Sequence, residues 1–135
     1  MTAHLEFVVL GPPVSNQSPG PNLTAWRGTV ALAAALNWPN PLLTGDLKAI
    51  IINFYAGVRP PVDVDNMAKP ILDVMQNIVY GDDRQIVQAE IAHLKIGAAY
   101  SIVGVRPSIV NSIRLGGPFV YVRIEDAMDP YPLPK

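Results

Sequence analysis

Fourteen prolines cut this chain into short apolar segments, none approaching the roughly 18 residues that a membrane span needs. Proline removes a backbone donor and cannot continue a ladder or a helix interior, so its positions act as element boundaries. Residues 4–10 read as a β-strand stopped by Gly11-Pro12-Pro13. After a polar loop, residues 24–37 place Trp26, Val30, Ala33 and Ala34 at helical spacing. Thr24 or Asn22 is expected to cap that helix, and Pro39 to end it. Residues 47–56 predict a strand apolar on both faces through Ile50-Ile51-Ile52. A second helix is predicted over 66–77, where Met67, Ile71, Val74, Met75 and Ile78 form one stripe. Lys69, Asp73, Gln76 and Asn77 fall opposite. Pro70 is tolerable only in a first turn, so the regular helix is expected to begin after Asn66. Residues 85–96 predict a strand whose uneven alternation fits a bulge, and 119–124 a last strand with Val120, Val122 and Ile124 on one face. Residues 97–117 admit two readings, a hairpin around Arg106-Pro107 or a mobile arm. The order β-α-β-α-β-β predicts an α/β fold of the two-layer α+β kind, with both helices on one sheet face. One domain over 1–125 and a Pro-rich tail over 126–135 complete the expectation.

Composition narrows the chemistry. The chain has no cysteine, which excludes disulfides, thiolate zinc sites and thiol nucleophiles. The first ten residues lack the basic start of a secretion signal, so a cytoplasmic protein is expected and the Asn22-Leu23-Thr24 sequon is a chance match. His4 and His93 read as strand residues rather than ligands, and Trp26, Trp38 and Phe54 as core or interface. Tyr80 reads as a packing residue at a helix end. Half of the residues are apolar and only 16% are charged, which hints at surface covered by a second subunit. A net charge of −1 is low for a nucleic-acid binder, although four of the eleven acids lie in two short segments.

Those segments carry the chemistry. In Val62-Asp63-Val64-Asp65-Asn66-Met67-Ala68-Lys69 the two carboxylates stand two residues apart at the expected mouth of a helix. Asp82-Asp83 follows the same helix. Carboxylate oxygens suit a hard cation such as Mg²⁺, with Mn²⁺ as a substitute. Lys69, one turn beyond Asp65, is placed to meet a phosphate. Each residue also has a plainer use: Asp63 or Asp65 as a helix N-cap, Asp82-Asp83 as a turn. Lys69 with its neighbouring acids makes a surface pair worth about 0.3–0.5 kcal/mol. The helix between the acids spans about 12 residues, or ~18 Å, so their convergence depends on tertiary geometry.

The run Asp63-Val64-Asp65-Asn66-Met67-Ala68-Lys69-Pro70-Ile71-Leu72-Asp73, then Tyr80-Gly81-Asp82-Asp83-Arg84-Gln85-Ile86, resembles the signature of the RusA-type Holliday-junction endonucleases. Gly11-Pro12-Pro13-Val14-Ser15-Asn16-Gln17 resembles a loop of the same family. The resemblance implies a RusA-like mixed sheet of about four strands. It also implies a Mg²⁺-dependent homodimer, often prophage-borne, that nicks two strands of four-way junction DNA. By motif match, Asp63, Asp65 and Asp83 are metal ligands and Lys69 the catalytic lysine, leaving Asp82 a structural or supporting role, with an exchange of roles between Asp82 and Asp83 left open. The basic cluster that family members carry before the first acid is missing, since Arg59 is followed by Pro60-Pro61-Val62. That departure leaves a second reading open, a non-catalytic DNA-binding or assembly module on the same fold.

Overall fold

The structure, a computed structural model, describes residues 3–97, 111–113 and 116–134. Four strands and two long helices follow the order expected: β1 (Ala3–Leu10), α1 (Gly20–Asn37), β2 (Leu47–Tyr55), α2 (Val64–Met75), β3 (Ile86–Lys95) and β4 (Phe119–Asp126). A short 3-10 turn, Asp83–Gln85, precedes β3. The strands form one mixed sheet in the order β1-β4-β2-β3. β4 pairs antiparallel with both neighbours, while β2 and β3 run parallel and are joined by the α2 crossover. The two readings of 97–117 lie largely outside the described residues.

Alternation decides which face is covered. Leu5, Phe7 and Val9 of β1, Leu47, Ala49 and Ile51 of β2, and Val120, Val122 and Ile124 of β4 share one face. Against it pack Trp26, Val30 and Ala34 of α1 and Met67, Ala68, Ile71 and Met75 of α2, forming the main core. The opposite face mixes Phe54 stacked on Phe119, ring centroids 4.6 Å apart, with a charged network. There Lys48 pairs with Glu90 at 2.8 Å, and Arg123 donates from Nε to Glu125 at 2.8 Å. Tyr121 donates its hydroxyl to Glu6 at 2.6 Å.

Three boundaries differ from the sequence reading. α1 begins at Gly20, with Pro21 in the first turn where a missing N–H costs nothing, so Asn22 and Thr24 lie inside it and do not cap it. α2 begins at Val64 and keeps Pro70 in its interior. The carbonyl that Pro70 cannot serve is that of Asn66, and the Asn16 N–H takes it at 2.9 Å. The orphan is therefore satisfied by the β1–α1 loop instead of the helix. α2 stops at Met75, short of Asn77, which takes a left-handed φ of 69° that Asn tolerates. The expected bulge in β3 is present: register shifts between Leu47 and Lys48, leaving Val87 unpaired opposite them.

Candidate active site

Both acidic segments flank α2. Asp63 is the N-cap residue, extended at φ −70° and ψ 153°, yet its side chain makes no capping hydrogen bond. Asp65 sits in the first turn, near the positive end of the helix dipole. Among the described residues neither carboxylate has a hydrogen-bond or ion-pair partner. The plain capping role open to them is not taken.

The second segment divides its labour. Asp82 caps the 3-10 turn by accepting from the Arg84 N–H at 2.9 Å, and it holds the Arg84 guanidinium at 2.8 and 3.1 Å. Those side-chain hydrogen bonds, and then the backbone one, lower its pKa to about 2. Gln85 completes the capping box, its Oε1 accepting from the Gly81 and Asp82 N–H groups at 3.1 Å. Gln85 Nε2 donates to the Leu43 and Gly45 carbonyls at 3.0 Å, which latches the turn to the segment entering β2. Asp83 is exposed and, among the described residues, makes no ion pair. Gln85 was visible in the motif, and an Asp followed three residues later by Gln is the signal of a cap, but its reach to Leu43 was not legible.

One cleft of about 330 Å³ runs between α2 and β3, lined by Asp65, Lys69, Asp73 and Asp83 above Ala89 and Ile91. Lys69 pairs with Asp73 at 3.3 Å, and Arg27 approaches the same carboxylate at 3.8 Å. At 58% exposure the lysine is held weakly, an i,i+4 surface pair being worth about 0.3–0.5 kcal/mol. Tyr80 backs this region as a fully buried helix-end residue, donating to the Leu72 carbonyl at 2.6 Å. Burial first, then the charges of Asp73 and Asp83, push its pKa up.

Asp63 lines a second, larger cleft of about 660 Å³ with Ser15, Gln17, Trp26, Pro61 and Asn66. The structure thus brings Asp65, Lys69 and Asp83 to one groove and Asp63 to the adjoining one. No three acidic or histidine side chains stand together as a metal-ligand group among the described residues. The donor set still fits a hard divalent cation. It consists of carboxylate oxygens that hold no cation of the protein's own, and such an ion is usually held by one or two carboxylates plus phosphate and water.

No helix among the described residues is long and apolar enough to cross a membrane. No curated protein matches the chain at a significant level. Residues 18–106 match the family model described as Endodeoxyribonuclease RusA. That span covers more than half of the chain and includes both acidic segments, the helix between them and the latched turn. The chain belongs to the RusA family of endodeoxyribonucleases, generally divalent-metal-dependent enzymes that resolve Holliday junctions.

Proposed function

We propose that this enzyme nicks paired strands of four-way junction DNA with Mg²⁺, that Asp63, Asp65 and Asp83 would hold the ion, and that Lys69 assists at the scissile phosphate. One observation carries the reading. Among the described residues Asp63 and Asp65 have no hydrogen-bond or ion-pair partner and Asp83 makes no ion pair, whereas Asp82, assigned a supporting role, is fully engaged by Arg84 and the turn. A bound Mg²⁺ supplies polarisation of the phosphoryl group and a more acidic attacking water.

The protein's own groups supply position and charge. Lys69 can exchange Asp73 for a phosphate oxygen at little cost, because the pair it leaves is exposed. Arg27 stays beside Asp73 when it does, so the carboxylate keeps a cation and does not repel the incoming phosphate. Asp65 stands in the first turn of α2, near the positive end of the helix dipole and facing the same groove as Lys69. A homodimer belongs to the same proposal, supported by the low charge content and by Leu32 and Leu36, one turn apart on α1 and both exposed.

The test is cleavage of a labelled four-way junction with Mg²⁺ by wild type and single variants. Asp65→Asn and Asp83→Asn are expected to lose about 100-fold or more in rate. Asp82→Asn, which keeps an oxygen to cap the turn, is expected to stay within about tenfold of wild type. Tight junction binding without nicks in any of the proteins, wild type included, would overturn the catalytic assignment in favour of a binding module.

A further inference from the structure

Val62 ends the exposed crossover loop and is the residue before Asp63, and its carbonyl is held from the sheet. His93 on β3 approaches it with Nε2 at 2.8 Å, while His93 Nδ1 lies 2.9 Å from Asn53 Nδ2 on β2. Asn53 and His93 are direct partners in the parallel β2–β3 register. The proton placement follows from the partners. A carbonyl only accepts, so Nε2 must carry the hydrogen. Nδ1 is then the nitrogen that accepts from the Asn53 amide N–H₂, which approaches it at 2.9 Å.

That arrangement leaves Asn53 Oδ1 buried with no partner among the described residues, on a residue that is fully buried. An unsatisfied buried amide oxygen carries a desolvation cost that an apolar pair at the same register would avoid. What the pair delivers against that cost is one hydrogen bond to the backbone immediately before the first acid. Beyond that point the chain is fixed by the helix itself, the Met67 N–H donating to the Asp63 carbonyl at 2.9 Å, and by the Asn16 contact to Asn66. Before it, residues 56–59 are exposed.

We propose that Asn53 and His93 form a positioning pair that fixes the Val62 carbonyl and so sets where the Asp63 carboxylate stands for the metal. This rests on the metal reading of Asp63 given above. The pair touches no reacting atom. It acts through the backbone, and its loss displaces a ligand rather than removing one.

Two near-isosteric variants separate this role from packing. His93→Gln can place an amide N–H near the position of Nε2, whereas His93→Asn ends near Nδ1 and leaves the Val62 carbonyl bare. Amide hydrogen exchange of the metal-free proteins, Mn²⁺ titration and steady-state junction cleavage are compared. His93→Asn is expected to exchange faster over residues 62–66, to bind Mn²⁺ about tenfold more weakly, and to lose kcat with KM for the junction unchanged. His93→Gln is expected to restore all three to within about threefold. The pair's role is overturned if His93→Asn exchanges like wild type over 62–66, if it exchanges faster there but binds Mn²⁺ normally, or if both variants simply loosen everywhere. Asp63→Asn tests the underlying reading separately. If it binds Mn²⁺ like wild type, the metal role of Asp63 fails and this proposal with it, even where the exchange result upholds the tether itself.

Discussion

Asp82 accepts the guanidinium and backbone N–H of Arg84, and its carboxyl is held at about 2 against an ordinary 3.8. A carboxyl with a depressed folded pKa adds stability above its unfolded value and loses that contribution as pH falls through the folded one. The melting-temperature gap between wild type and Asp82→Ala is therefore expected to be constant above about pH 5 and to shrink between about pH 4 and pH 2. A gap that stays level or widens on acidification would remove Arg84 as the cause. At this scale the sequence told much. The plain surface pairing of Lys69 with a neighbouring acid was legible from the i,i+4 spacing. His93 was read as an ordinary strand residue. Its partner Asn53 lies 40 residues away, and only strand register brings the two together.

At the scale of elements, apolar patterning located all four strands and both helices, because each carries a row of apolar residues that packs into the core or against it. It failed at ends, where single hydrogen bonds decide. Pro70 is the informative case. Steric reasoning puts a proline outside the helix interior, and it cannot foresee that Asn16, more than fifty residues earlier, will take the carbonyl released. Replacing the proline exposes that exchange. Pro70→Ala restores an N–H that competes for the Asn66 carbonyl, so the loop at Asn16 is expected to loosen while α2 stays helical. Faster amide exchange at Asn16, with slow exchange retained through residues 67–75, is the expected pattern. Unchanged protection at Asn16 would mean that the proline has no part in docking the loop.

For the whole molecule, the mixed four-stranded sheet under two helices was expected from element order and family resemblance together, and it is what the chain forms. Less legible was how the acids would be distributed around α2, since a 12-residue helix separates the segments and the sequence holds no measure of their approach. Fold places Asp65 and Asp83 along one groove and Asp63 beside the next. The central claim is that carboxylates from both sides of α2 serve a single divalent ion. Calorimetric titration of Mn²⁺ into wild type, Asp65→Asn and Asp83→Asn, with junction DNA bound, addresses it most directly. The account expects one ion per chain and a loss of about tenfold or more in affinity from either substitution. An Asp83→Asn protein that binds Mn²⁺ as tightly as wild type would contradict it.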